Sequence, residues 1–357
     1  MKVAINTTPL KSAHKNRGIG YYTYNLIENL KKDKSVQIQT FINADEVKDV
    51  DIVHYPWFDF FFHTLPLRKI APTIVTIHDV IPLIFNDNYP VGIKGKANFF
   101  LQKLALKNCQ AFITDSQFSK KDIINYLKIK EEKINVISLA ADTDFRILTE
   151  NKRLLIKRKY TLPDRFVLYT GDANWVKNLP FLIEGFRALK KDLSFSDVKL
   201  VLVGGVFLKK VDNIDHPELE SLKKVNELII KLNLEREVIR LGQIDTEDLV
   251  GIYNLATIYV QPSFYEGFGL PILEAMSCGT PVICSKGGSL PEVGGDAVIY
   301  FDPKNLNQLV FLLTDLLKDK SLQSRLSKLA LRQVLKYSWE KTAYETVKLY
   351  NVSRYKK

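Results

Sequence analysis

The feature that most limits what this chain can fold into is a unit that recurs along it. A short apolar run ends in a glycine or polar loop, and a helical pattern follows. Phe166–Thr170 is followed by Gly171, Lys199–Val203 by Gly204-Gly205, and Val238–Leu241 by Gly242. Near the start, Lys2–Asn6 leads through a polar loop to Arg17-Gly18-Ile19-Gly20 and a helix over about 19–30. These runs are apolar on both faces and do not alternate. That suits parallel strands covered by helices on each side, which predicts an α/β chain of parallel, helix-covered sheets. At 357 residues, two domains of ordinary size are expected: 1–145 and 161–338, joined by 146–160. Three cysteines without paired spacing exclude a disulfide framework and a zinc site, and suit a reducing cytosol. No leader and no run of about 20 apolar residues is evident, so no membrane span is expected.

Charge is unevenly spread. Residues 1–160 carry 25 Lys and Arg against 16 Asp and Glu, so that stretch holds +9 of the chain's +11. A basic half implies an anionic partner or solvation by lysine. An anionic membrane surface at the inner face and a phosphate-linked acceptor both fit. Nucleic acid is not expected, because no recognised binding module accompanies the charge. The aromatic stretch 55–63, YPWFDFFFH, is either core or lid, or a membrane-side patch in which Phe60 and Phe61 meet lipid.

Chemistry concentrates in SFYEGFGLPILE, residues 263–274. Pro271 suits the first turn of a helix, so Leu270–Ser277 reads as a helix fed by a loop. Gly267 and Gly269 let backbone N–H groups of Gly267, Phe268, Gly269 and Leu270 approach a ligand. With the helix N-terminus they form an anion site. Glu266 lies in the loop and Glu274 inside the helix, each able to accept hydrogen bonds from hydroxyls. Two carboxylates separated by seven residues often describe plain surface; two glycines and three aromatic neighbours argue otherwise. The implied ligand has hydroxyls at both ends and phosphates between, which describes a sugar nucleotide. Gly18 and Gly20 at one helix start and Lys177 at another repeat the phosphate-binding pattern. His78 closes a strand, where ligands gather in parallel sheets, and Asp79 is placed to orient it. Ser119 with Asp122 reads as a capping pair.

The run EGFGLPILEAMSCGTPV resembles the signature of retaining glycosyltransferases of family 4. TIHDVIPL, the S-x-F-S-K element at 116–120 and the segment 140–145 resemble that family too, so the likeness covers nearly the whole chain. The resemblance implies the GT-B fold: two Rossmann-like parallel-sheet domains facing a central cleft, with the terminal helix 339–357 returning to the first domain. It implies that a hexose passes with retention from a nucleotide-sugar donor, of GDP-mannose or UDP-hexose type, to a saccharide or lipid-linked acceptor. In that reading Glu274 holds the ribose and Glu266 contacts the sugar. His78 lies near the reacting sugar and Lys177 serves the diphosphate. Gly242 and Ile244 lie beside the base. No cofactor and no metal is expected. Val176 stands where the family often has arginine. Two rivals share the pattern: a GT-B epimerase and a non-catalytic sugar-nucleotide-binding protein.

Overall fold

The computed structural model describes residues 1–12, 18–209 and 219–355. It divides into two compact units, Met1–Ala140 with Tyr337–Lys357, and Ala141–Lys336. Each is built on a six-stranded sheet.

In the first unit the strands are β1 (Lys2–Asn6), β2 (Gln37–Phe41), β3 (Ile52–Tyr55), β4 (Thr73–Thr76), β5 (Ala111–Thr114) and β6 (Ile134–Val136). Their order is β2-β1-β3-β4-β5-β6, with every pairing parallel. The apolar runs become strands buried along their length: β3, β4 and β5 have no exposed residue. Helices Gly18–Leu30, Ile93–Lys107 and Gln117–Leu127 cover the sheet. The helix Trp339–Ser353 belongs to this unit. Its Tyr350 hydroxyl lies 2.7 Å from Nδ1 of the buried His54, and Thr342 Oγ1 donates to the Ser138 carbonyl. Ser116, two residues after β5, caps helix Gln117–Leu127 by accepting from the Ser119 N–H at 3.0 Å. The cap is therefore Ser116 and not Ser119, because the helix starts three residues earlier than the Ser119–Asp122 pattern implies.

The aromatic stretch divides by residue. Phe58 and Phe60 are buried in the core with Val53, Val75 and Phe112, and their rings meet edge to face at 5.3 Å. Phe62 is 68% exposed. The lipid-facing expectation for Phe60 is therefore corrected: its side chain already fills core space, and Phe62 is the ring presented to solvent.

In the second unit the strands are β7 (Phe166–Thr170), β8 (Lys199–Val203), β9 (Val238–Leu241), β10 (Ile258–Gln261), β11 (Val282–Ser285) and β12 (Ile299–Phe301). The order is β12-β11-β10-β7-β8-β9, again all parallel. The direction of winding reverses between β7 and β10, which pair through Val167–Ile258 and Leu168–Tyr259. In such sheets a ligand crevice opens beyond the carboxyl ends of the two strands where the order reverses. The loops that leave β7 and β10 there are 171–178 and 262–269, and these hold Lys177, Glu266, Gly267, Phe268 and Gly269. The basic run after 150 forms helix Glu150–Lys159 with no buried residue, a solvated helix.

Candidate functional site

The helix Leu270–Ser277 starts as its proline predicts, with Pro271 in its first turn. Gly269 precedes it at φ +99°, a conformation that side chains rarely adopt, and a Cβ there would meet Leu290 at 2.7 Å. The loop 287–289 clamps the motif from behind. Ser289 donates to the carbonyls of Glu266 and Phe268, and a Cβ on Gly288 would lie 2.3 Å from the Glu266 carbonyl oxygen. Gly267 and Phe268 are buried, and Leu270 is half-buried at the helix start.

Loop 171–178 docks onto the motif loop. The Phe264 N–H donates to the Val176 carbonyl at 2.8 Å, and the rings of Trp175 and Phe264 stack at 4.8 Å. Val176 is 3% exposed. A side chain at that position points into protein, which explains why an apolar residue stands there. Its neighbour Lys177 turns the other way and places Nζ 2.8 and 2.9 Å from the two Glu266 oxygens. The two residues assigned to phosphate and to sugar are thus each other's partners.

Glu266 is held from three sides. Gln261 Nε2 donates to its Oε1 at 2.7 Å, Ser263 Oγ at 2.6 Å, and Lys177 reaches both oxygens. Gln261 is itself oriented by Tyr259, whose hydroxyl donates to the amide oxygen and so aims the amide N–H group at Glu266. Tyr259, Gln261 and Ser263 stand at alternate positions on and just beyond β10, so they share one face. That two-residue spacing is the signal that could have found Gln261 and Ser263, which the motif alone did not.

Glu274 meets a different environment. It accepts from the Tyr253 hydroxyl at 2.8 Å, and Tyr253 also meets Thr170 Oγ1 at 2.6 Å. The residue is partly exposed, yet its carboxyl sits deep enough among protein atoms that desolvation pushes it up to about 7. The Tyr253 hydrogen bond works the other way, and Asp142 adds to the rise. A carboxylate with one protein donor and some access to water retains capacity to accept from ligand hydroxyls. Gly242 and half-buried Ile244 lie in the loop between β9 and helix Thr246–Leu255.

In the first unit, Gly18 and Gly20 begin helix Gly18–Leu30; Arg17 lies outside the described residues. His78 follows β4, and the carboxylate that reaches it comes from the end of the neighbouring strand. Asp115 Oδ2 lies 2.7 Å from His78 Nδ1, and the Pro56 carbonyl lies 3.2 Å from Nε2. The expectation that Asp79 orients His78 is corrected. Asp79 Oδ1 accepts from the Ile81 N–H at 2.9 Å, a local turn bond, whereas Asp115 binds the imidazole. The contact spans 37 residues and exists because β4 and β5 pair in parallel, Thr76 beside Ile113. The three cysteines are buried and free, and among the described residues no cluster of His, Cys, Asp and Glu could hold a metal ion.

Comparison with known proteins agrees with this organisation. Residues 153–333 match the family described as Glycosyl transferases group 1, and residues 35–145 match Glycosyltransferase Family 4. The serotype-specific mannosyltransferase WbdA of Escherichia coli is 30% identical over 90% of this chain, but the chain spans only 39% of that relative. The O-antigen chain mannosyltransferase B of Escherichia coli is 30% identical over 80% of this chain and 71% of its own length. Among solved structures, Anabaena HepE in complex with UDP and glucose has a TM-score of 0.75 over 99% of this chain and 100% of its own, at 15% identity. That likeness shows the fold, which is GT-B.

Proposed function

The chain belongs to the group 1 glycosyl transferases, and we propose from that membership that it moves a hexose from a nucleoside diphosphate sugar to a saccharide or lipid-linked acceptor. The transfer would serve the synthesis of a cell-surface glycan. The observation that carries the reading is the meeting of Lys177 and Glu266 at the β7–β10 reversal, one helix away from Glu274. Mannose is the first candidate for the sugar, because several relatives that match over most of this chain are mannosyltransferases. The donor proposed first is accordingly GDP-mannose, with UDP-hexoses next.

In this reading Glu274 accepts hydrogen bonds from the ribose hydroxyls. The N–H groups of Gly267 to Leu270 at the helix start take phosphate oxygens. Lys177 exchanges part of its bond with Glu266 for the diphosphate, which releases Glu266 to hold the sugar. Stabilising the leaving diphosphate with fixed donors is then the main contribution to rate. Glu266 is a sugar ligand and not the nucleophile. Three donors already occupy its oxygens, which lowers their availability for attack on carbon. With the retention that the family resemblance implies, a site without a nucleophile calls for attack on the same face. Gly242 and Ile244 are assigned to the base through backbone contacts, and Gly18 and Gly20 to phosphate. His78 is assigned to the sugar or its developing charge.

The test is incubation with GDP-mannose, UDP-glucose and UDP-galactose and a panel of mannoside acceptors, read by mass spectrometry for mass and by NMR for the new anomeric centre. A product heavier by one hexose, with the anomeric configuration of the donor, supports the reading. Nucleotide binding with no transfer to any acceptor and no epimerised donor would leave the binding-protein reading in its place.

Peripheral contact with an anionic membrane through the first unit is part of the same proposal. Helix Ile93–Lys107 exposes Ile93 at 90% and Phe100 at 64%, flanked by Lys94, Lys96 and Lys107. Its Phe99 ring meets Phe61 at 6.1 Å, next to exposed Phe62. Apolar side chains among lysines suit an anionic lipid surface. Phe62→Ser with Phe100→Ser should weaken flotation with phosphatidylglycerol vesicles and leave nucleotide binding unchanged; unchanged flotation argues against the contact.

A further inference from the structure

The buried pair at the carboxyl ends of β4 and β5 has a definite chemistry. His78 Nδ1 and Asp115 Oδ2 are 2.7 Å apart, with the carboxylate side chain 3% exposed and the imidazole 15% exposed. The other ring nitrogen lies 3.2 Å from the Pro56 carbonyl, an atom that only accepts. Both nitrogens therefore face acceptors. An imidazolium satisfies them with two N–H groups. The one uncharged alternative moves a proton onto Asp115; burial raises that carboxyl, but the imidazole too is held above its ordinary value by the charge and hydrogen bond of Asp115, and the ring starts as the stronger base. Asp115 Oδ1 has no hydrogen-bond partner among the described residues, so His78 is the group that compensates this buried charge.

We infer that Asp115 is a positioning residue that holds His78 doubly protonated and in one orientation, so that His78 serves the proposed transfer as a charged N–H donor and not as a proton acceptor. The inference rests on the proposed function only for the word transfer; the state of the pair stands by itself. The weaker bond, to Pro56, is the one that an oxygen of the sugar or phosphate can share.

The other titratable groups around His78 support this state. Asp79, one residue on, adds a second negative charge. Tyr22, from helix Gly18–Leu30, sets its ring edge to face at 4.8 Å and stays neutral, because burial pushes its hydroxyl up. His54, on β3, is neutral because burial pushes it down to about 3. Its nitrogens are occupied by Tyr350 and Thr76 at 2.7 and 2.8 Å. For His78 itself, burial pulls down, and the charge and hydrogen bond of Asp115 more than offset it, so the imidazole is held above its ordinary value.

The experiment is ¹⁵N NMR of the histidine-labelled full chain from about pH 5 to pH 9, with the His78 signals assigned by His78→Gln. In the wild type both ring nitrogens should carry imidazolium shifts at pH 7. In Asp115→Asn the midpoint should fall by at least about one pH unit, and Asp115→Glu should restore part of the difference. In turnover, Asp115→Asn should move the alkaline limb of kcat to lower pH by the same interval, with KM for the donor within about twofold. A purely structural Asp115 would change the unfolding midpoint and leave that limb in place. Wild-type His78 neutral at pH 7 overturns the inference, even where the Asp115 variants do not fold. The NMR reading needs no substrate, so absence of glycosyl transfer would count against the proposed function and not against this assignment.

Discussion

Glu266 and Glu274 lie in one twelve-residue segment, and the fold gives them opposite surroundings. Glu266 receives four hydrogen bonds, from Gln261, Ser263 and both contacts of Lys177. Among the described residues Glu274 receives one, from Tyr253, and burial moves it up to about 7. The contrast follows from their elements. Glu266 sits on a loop pressed between β10 side chains and the loop after β7, where polar groups converge. Glu274 sits on a helix whose neighbours Ile272, Leu273, Ala275 and Met276 are all buried, so little protein polarity reaches it. Before any ligand arrives, one carboxylate is largely satisfied by protein donors, and the other has most of its acceptor capacity open. The difference teaches that a motif specifies spacing, while its neighbours decide which group is free to bind.

The largest effects should come from the built-in pair. Glu266→Ala leaves Lys177 without its carboxylate and should lower stability by about 3 kcal/mol, read by urea unfolding, with turnover reduced more than about a hundredfold. Lys177→Met combined with Glu266→Gln should lose less stability than the two single changes added together, since each single change strands the partner's charge and the double change strands none. Strict additivity would show that the pair is not coupled and would erase one side of the contrast.

Glu274 should respond in the opposite sense. Its folded value lies above its ordinary one, so the native state holds the proton to higher pH. Wild-type stability therefore falls as pH rises from about 4.5 to about 7. Glu274→Gln removes that fall and should raise stability at pH 8 by on the order of 2 kcal/mol, after allowance for the part of the group that water reaches. A loss of stability at pH 8 would mean that protein donors hold ionised Glu274 as they hold Glu266. Smaller changes sharpen the comparison further. Ser263→Ala should cost about 1 kcal/mol and leave nucleotide affinity within about threefold. Tyr253→Phe should cost a similar amount and weaken nucleotide binding most just above pH 7, where wild-type Glu274 is ionised and loss of the donor that favours its charged form returns it to the protonated state.

Much of this was legible in the sequence because the signals are local. The strands β3, β7, β8, β9 and β10 and helices Ile93–Lys107 and Leu270–Ser277 follow from apolar runs, glycines and Pro271, all within reach of one another along the chain. The partners of the site residues were less legible, since they depend on which strands lie side by side. Asp115 reaches His78 because β4 pairs with β5, and the adjacent Asp79 was the nearer guess in sequence alone. Lys177 and Glu266 are 89 positions apart and meet because β7 pairs with β10. The aromatic stretch misled for another reason. Neighbouring phenylalanines in a loop have no period to separate inside from outside, so Phe60 and Phe62 read alike and fold differently.

The central claim is that Glu274 is the carboxylate reserved for a nucleotide. Calorimetric titration of GDP and UDP into the wild type and Glu274→Gln, at pH 6 and pH 8, tests it most directly. One nucleotide should bind the wild type more tightly at pH 8 than at pH 6, because the ionised carboxylate is the better acceptor for ribose hydroxyls. Glu274→Gln should weaken that binding by about tenfold or more at pH 8 and abolish the dependence on pH. Equal affinity of the two proteins at both pH values would contradict the account.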